Sequence, residues 1–338
     1  MRILIVGGTG FIGRAVVRAM HGHELALFHR GATCREPRDT HHLHGDRAEL
    51  LAYRERIRAL RPDVVLDMVP RNGPDAQRVI DAVRGIVPRV VAVSSGSVYR
   101  RFGVLMGSEP GAVDNTPSRE DSPLRTRLFP YRSHSVEPGP LHDYDKIPAE
   151  QAYFRATDLA CSVVRLPMVY GPGDPDHRLT PYVRPMLDGR PEIPLQETAA
   201  RWRNARSYVD NAAAAIARVV EAGAPGRAYN VAELQDFTEL EWIRRIGAVV
   251  GWQGAVRLVR DGGRLGRPSV SELPETTNFA QHLLMDSSRI RGELGYTEVV
   301  EPEEALCSAV RAAAAASAPA DSPGDDGVDG RETSRPGT

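Results

Sequence analysis

The residues best able to do chemistry fall in three stretches. Gly7, Gly10 and Gly13 stand three apart behind the apolar run Ile3 to Val6. Ser94-Ser95-Gly96-Ser97-Val98-Tyr99 follows a second apolar run, Arg89 to Val93. His142-Asp143-Tyr144-Asp145-Lys146 brings an imidazole, a phenol and an amine close together along the chain. The first stretch is the most telling. A short, continuous, β-branched run reads as a buried parallel strand. Phe11 to Met20 carries apolar positions at helical spacing, so the glycines fall at a strand-to-helix turn. There a bare backbone lets phosphate oxygens reach N–H groups, and the helix N-terminus adds partial positive charge. The G-x-x-G-x-x-G spacing differs from G-x-G-x-x-G by one residue. Its glycines serve the tight turn, the approach to a pyrophosphate and helix-on-strand packing. The ligand this predicts is a dinucleotide.

The segment GGTGFIG resembles the start of the extended short-chain dehydrogenase/reductases, the NAD-dependent epimerase/dehydratase group, and the resemblance runs to about Tyr296. It implies an α/β fold, a doubly wound parallel sheet (Rossmann) with a smaller C-terminal substrate lobe. It also implies an epimerase, dehydratase or ketoreductase that moves a hydride between a nicotinamide and a hydroxylated small molecule, including sugars and nucleotide sugars. The implied cofactor contacts are Gly7, Thr9, Gly10, Phe11, Ile12 and Gly13 at the first turn. Asp46, in Gly45-Asp46, would meet the adenine amino group. Met68 follows the third buried strand (Val64 to Val69), and Lys146, Pro167 and Val169 would lie near the nicotinamide. Pro167-Met168-Val169-Tyr170-Gly171-Pro172-Gly173 follows Arg165 as the family's Arg-x-x-x-Val-Tyr-Gly-Pro-Gly segment does. Ser95 takes the place of the catalytic hydroxyl, which would hold the substrate oxygen. Tyr99 and Arg206 are the substrate-side candidates. In nucleotide-sugar members the matching Arg meets the diphosphate, and a guanidinium fork suits phosphate oxygens.

The second strand, Glu24 to Phe28, ends on His29-Arg30-Gly31. An acid there would bind the ribose hydroxyls of NAD, whereas an Arg suits the 2′-phosphate of NADP. No acid occurs until Glu36, so Arg30 leans the reading toward NADP, with NAD kept open. His41, His42 and His44 cluster in what reads as the next loop, with no Cys or carboxylate completing a metal spacing, and no metal is expected.

The pattern breaks at the family's Tyr-x-x-x-Lys. Residues at i and i+4 share a helix face. The Lys therefore lies beside the Tyr, lowers its pKa and holds the nicotinamide ribose. Here Lys146 and Glu150 match, but the Tyr position is His142. Four assignments stay open. His142 moves the proton, its ordinary pKa being near neutral. Tyr144 does so from outside a helix that starts late, with Asp145 as cap and Pro148 in the first turn. Tyr131, in Phe129-Pro130-Tyr131, does so. Or no acid/base remains, and the chain is a dinucleotide-binding regulatory or scaffold protein without redox turnover. His142 and Tyr144 rank ahead of Tyr131.

Around these stretches the reading is coarse. Helices are expected at 50–60, 77–87, 149–157, 179–187, 212–222 and 303–316, with strands at 161–166 and 229–231. The Pro-rich stretch from Arg100 to Leu141 reads as a long loop over the substrate pocket. Thr238 with Glu241 forms a capping box. The nucleotide-sugar stretch Arg-x-Gly-Asp is missing before Asp286, and Asn278 to Met285 stands there instead. The expected division is 1–175 for the dinucleotide domain, with later strands added, 176–316 for the substrate lobe, and 317–338 as a disordered tail of Pro, Gly, Asp and Ser.

Bulk properties exclude more than they assign. With 338 residues and a formal net charge of −1, there is room for a large α/β domain and no basic block for nucleic acid. No apolar stretch is long enough to cross a membrane. With the first strand reading from Met1, no signal peptide is expected. Cys34, Cys161 and Cys307 are far apart and odd in number, as reduced thiols of a cytoplasmic protein would be. The partner expected is a small molecule, with a homodimer as in many relatives.

Overall fold

The computed structural model describes residues 1–31, 40–132, 141–260, 265–270 and 272–317. Cys34, Glu36 and residues 318–338 of the expected tail lie outside these. The first half alternates strands and helices: β1 (Arg2–Val6), α1 (Phe11–Ala19), β2 (Glu24–His29), β3 (His41–His44), a 3-10 turn (Arg47–Tyr53) running into α2 (Arg54–Leu60), β4 (Val64–Asp67), α3 (Gly73–Val83) and β5 (Arg89–Ser95). Then come α4 (Arg100–Met106), α5 (Lys146–Arg155), β6 (Ala160–Leu166), β7 (Met168–Tyr170), α6 (Thr180–Leu187), β8 (Glu192–Gln196) and α7 (Glu197–Ala200). The chain ends with β9 (Arg206–Tyr208), α8 (Val209–Ala222), β10 (Ala228–Asn230), α9 (Glu239–Val250), β11 (Ala255–Val259), α10 (Ser288–Leu294) and α11 (Pro302–Ser317).

Seven strands form one sheet in the order β10-β6-β5-β4-β1-β2-β3, every neighbouring pair parallel. Parallel strands need crossovers, which put helices on both faces and bury both sides of each strand. Alternate residues of β1 show this directly. Ile3 and Ile5 join the core under α1 and α8, while Leu4 and Val6 join the core under α3 and α5. The strand order reverses beside β1, and a crevice opens at the carboxyl ends of strands at such a switch point. β10 completes the sheet edge beside β6, so segments after residue 175 belong to the larger sheet. Two short parallel pairs, β8 with β11 and β7 with β9, lie outside it. No described helix is long and apolar enough to cross a membrane.

Several elements differ from the sequence reading. His41–His44 is a strand rather than a loop, pairing with β2. α3 starts a turn earlier than Gln77, because the Asn72 side chain accepts the Asp75 N–H at 3.0 Å and Pro74 sits in the first turn. It ends before Val87, where Gly85 turns the chain at φ +70°. The Arg100–Leu141 stretch opens as a helix, α4, instead of a loop. α5 begins at Lys146 with the Asp145 carboxylate accepting the Ile147 N–H. Tyr144 is thereby left outside the helix. The Thr238–Glu241 capping box is present.

Candidate active site

The crevice holds a cavity of about 600 Å³. Its lining runs from Gly7, Gly10, Phe11, Ile12 and Gly13 past Met68 to Ser94–Ser97, Tyr144 and Lys146, then Pro167 to Val169. The first turn is shaped for a close ligand. Gly7 adopts φ +91°, and a side chain there would meet Val69 at 2.9 Å. A Cβ on Gly13 would meet the Gly8 backbone at 2.6 Å, so α1 rests directly on the strand-exit chain. Gly10 caps α1 with no side chain bonded to the helix N–H groups, no acid in the first turn, and open space where its Cβ would point. Uncapped N–H groups beside open space suit a phosphate oxygen.

Thr9, Arg30 and Asp46 do not line this cavity. Arg30 follows β2, with its side chain 81% exposed and 3.8 Å from Asp46. Asp46 is engaged locally, accepting the Ala48 N–H at 2.8 Å as cap of the 3-10 turn. The imidazoles of His29, His42 and His44 pack together at the β2–β3 edge, and His29 Nε2 lies 2.9 Å from His42 Nδ1. Among the described residues no group of His, Cys, Asp or Glu is placed to hold a metal ion.

At the cavity floor, Ser95 ends β5 and its Oγ accepts the Ser97 N–H at 3.1 Å. The Tyr144 phenol and Ser95 line the same cavity, and the Ser95 side chain partly offsets the upward shift of the phenol. Burial, then the negative charges of Glu272 and Asp145, hold the Tyr144 phenol well above its ordinary pKa. Lys146 projects from the first turn of α5 and donates from Nζ to the Val93 carbonyl at 3.0 Å. Its ammonium lies 5.5 Å from the Tyr144 ring centre. Burial pulls the Lys146 amine down to about 8. Lys146 is also the sole lysine in a chain with 43 Lys and Arg residues together.

His142 is not part of this group. It lies outside the cavity lining, with Nδ1 3.0 Å from the Asp143 carboxylate on the surface side. Tyr131 does line the cavity, packed edge-to-face on Tyr144 at 5.9 Å, and burial raises its phenol.

The two substrate-side expectations fare differently. Tyr99 borders the cavity but is 2% exposed, and its hydroxyl donates to Asn230 Oδ1 at 2.6 Å while accepting from Arg165 at 3.0 Å. Arg165 in turn pairs with Glu150 at 2.7 Å, and Ser94 Oγ donates to Glu150 at 2.5 Å. Tyr99 and Glu150 are thus held in a buried network that ties β5, α5, β6 and β10. Arg206 is turned away from the cavity altogether. It is buried, pairs with Glu239 at 2.7 Å, donates to the Asn204 carbonyl and stacks on Trp242. The sequence reading placed a phosphate grip there; the fold uses the guanidinium to join β9 to α9.

Several lining residues had no signal in the sequence. Arg101, Phe102 and Ser118 come from the Pro-rich stretch, Arg178 from the lobe, and Glu272 and Met285 from the stretch before α10. Bridges such as Ser118 to Met285 bring them together, and nothing local encodes such long-range pairs.

The profile of the NAD dependent epimerase/dehydratase family matches residues 3–232. Among curated proteins, the chain is 29% identical over 233 residues to a 2′-dehydrokanamycin reductase of Streptomyces kanamyceticus, a match covering 65% of this chain and 58% of the reductase's length. It is 24% identical over 339 residues to a dTDP-glucose 4,6-dehydratase of Streptomyces griseus, covering 91% of this chain and 92% of that protein. Among solved structures, a dTDP-glucose 4,6-dehydratase of Bacillus anthracis in complex with NAD superposes with a TM-score of 0.68 at 18% identity. That match covers 92% of this chain and 96% of the other.

Proposed function

The chain belongs to the NAD dependent epimerase/dehydratase family, and from that premise we propose that it oxidises or reduces one alcohol carbon of a hydroxylated small molecule. Epimerases, dehydratases and ketoreductases all contain such a step. The observation that carries the reading is that Tyr144, Ser95 and Lys146 line one cavity with the first glycine turn, the Lys146 ammonium 5.5 Å from the Tyr144 ring centre. The dinucleotide would supply or take the hydride. The residues present fit it: the uncapped start of α1 suits its pyrophosphate, with Gly7, Thr9, Phe11, Ile12 and Gly13 forming the turn, and Met68, Pro167 and Val169 would flank the nicotinamide.

In this assignment Ser95 holds the substrate oxygen by a hydrogen bond. Tyr144 gives that oxygen a proton in reduction and takes it back in oxidation. Lys146, as an ammonium, holds the ribose and offsets negative charge on the phenol oxygen. Tyr144 stands two residues ahead of Lys146, outside α5, so the i,i+4 relation gives way to a pairing across the helix start. His142 has no role. Exposed Arg30 is assigned to a 2′-phosphate, which favours NADP over NAD. The reading is of a cytoplasmic enzyme with a small-molecule substrate, and light scattering tests whether it is a homodimer.

The experiment is mass spectrometry of the nucleotide released on denaturing freshly purified protein, with titration of NADPH and NADH into protein that releases none. Bound or saturable NADP(H) supports the reading. Near-stoichiometric NAD would keep the hydride transfer, reverse the Arg30 assignment and favour internal recycling. Binding of neither dinucleotide overturns it.

A further inference from the structure

Several polar side chains on the substrate side of the cavity are already answered by the protein. Arg101 pairs with Asp114 and donates from Nη1 to Ser118 Oγ at 2.7 Å. Arg178 is held by Asp174 at 2.6 Å and by Asp176 at 2.5 Å. Asn204 is different. It lines the cavity, is 7% exposed, and its carboxamide donates only to the thioether of Met168, Nδ2 to Sδ at 3.6 Å. Among the described residues nothing donates to its Oδ1. A carboxamide offers two donors and an oxygen with two lone pairs, whereas a thioether is a weak acceptor. Buried amides are otherwise hydrogen-bonded, because an unanswered one gives up its hydration for nothing.

The backbone of Asn204 is fixed on both sides. It bridges Leu283, the Ala205 N–H donates to the Leu283 carbonyl at 2.7 Å, and the Asn204 carbonyl accepts from Arg206 Nη1 at 3.1 Å. Two paths tie its carboxamide to the reacting centre. Met168 stands two residues past Leu166, the partner of Ser95 in the sheet. Met285, two residues past Leu283, places its sulfur 2.7 Å from where a Cβ on Gly96 would lie, beside Ser95. Two residues of extended chain span roughly 7 Å, the scale of one pyranose or cyclitol ring with its substituents.

Resting on the hydride-transfer reading, we propose that Asn204 is a second anchor for the substrate. Its carboxamide binds a hydroxyl on the far side of a ring-sized polyol from the oxygen held at Ser95. A hydroxyl donates and accepts at once, so it answers both ends of the amide; a ketone only accepts and an ammonium only donates. Asn204 is thus a specificity residue that orients the ring and takes no part in bond making.

The test uses the full chain. The NADPH Kd is measured first, since failure to bind dinucleotide would sink the hydride-transfer reading by itself. Unmodified protein, N204L and N204S are then assayed with NADP(H) on hexoses, cyclitols, their keto forms and UDP- and dTDP-hexoses, each with its single-deoxy counterparts. For the member turned over best, N204L is expected to raise KM about ten-fold or more, with kcat within about three-fold and the NADPH Kd unchanged. N204S, which keeps a shorter hydroxyl, should lie between. One deoxy counterpart should show the same rise in unmodified protein and no further rise in N204L, because the partner is already gone. An unchanged KM in N204L, or a loss that no single deoxy position reproduces, overturns the inference. So does a weakened NADPH Kd in both variants, which would make the residue structural. Turnover of no panel member by protein that binds NADPH overturns the polyol assignment.

Discussion

Arg125 and Asp145 form an ion pair of 2.8 Å whose side chains are 1% and 0% exposed. The same carboxylate accepts the Ile147 N–H at 2.9 Å, capping α5, and the Phe129 N–H at 2.6 Å. Arg125 also donates from Nε to the Ser97 carbonyl at 2.6 Å. One guanidinium thus couples the segment after β5 to the residue that stands between Tyr144 and Lys146. Removing one partner of a buried, hydrogen-bonded pair leaves an uncompensated charge. Arg125→Met is expected to destabilise the protein by about 3–5 kcal/mol, read as a shifted urea midpoint with an unchanged slope. A loss under about 1 kcal/mol would show that the pair positions nothing.

Tyr144→Phe removes the proton that the proposed chemistry needs and keeps the ring. The expected fall in kcat is about 10²–10⁴-fold, with NADPH affinity kept. His142→Ala, outside the cavity lining, is expected to leave kcat within about two-fold. The reverse ordering of the two variants would return the proton-moving role to His142.

Lys146 titrates in an accessible window. Its amine is pulled to about 8 by burial, from an ordinary 10.5. Between those values the unfolded chain binds more protons than the folded one, so this group adds stability as pH rises from about 8 toward 10.5. Below pH 8 the buried charge is a standing cost. In Lys146→Gln that rise should be absent. Because the chain has one lysine, ε-carbon-labelled lysine gives a single side-chain signal, and its NMR titration in the folded protein is expected near pH 8. A midpoint at 10 or above would contradict the burial. In the enzyme reading, activity falls as this ammonium is lost above the same pH.

Arg30→Ser tests the cofactor assignment. A charge-assisted contact to a 2′-phosphate is worth about 1.5–3 kcal/mol, so the NADPH Kd should rise about 10- to 100-fold while the NADH Kd stays constant. Equal changes for both nucleotides would remove Arg30 from any role in discrimination.

Gly13→Ala tests the closeness of α1 to the turn. An added methyl would stand 2.6 Å from the Gly8 backbone, which cannot yield as a side-chain tip would. The expected cost is about 1–3 kcal/mol, together with weaker dinucleotide binding because the start of α1 moves. Gly10→Ala meets nothing within 4 Å in the protein. It should be nearly neutral for stability and should weaken binding where the methyl meets the ligand. An unchanged Tm and Kd in Gly13→Ala would disprove the close packing.

The sequence by itself determined the parallel sheet, the glycine turn and the family. These are encoded locally: a β-branched run, three spaced glycines and an apolar helical face lie within the first twenty residues, and each element states its own partner. It also left the start of α5 readable, since Asp145 and Pro148 are local signals for a helix that begins at Lys146. Tertiary structure decided what local signals cannot carry. Arg206 has the side chain for a phosphate, yet Glu239, thirty-three residues on, claims it in the core. Between His142 and Tyr144 the sequence could not choose, because both precede Lys146; packing put one by Ser95 and the other on the surface. Arg101, Ser118, Glu272 and Met285 share a wall only because distant segments meet there. A side chain's chemistry is written in its type, but which neighbour satisfies it depends on contacts across the whole chain.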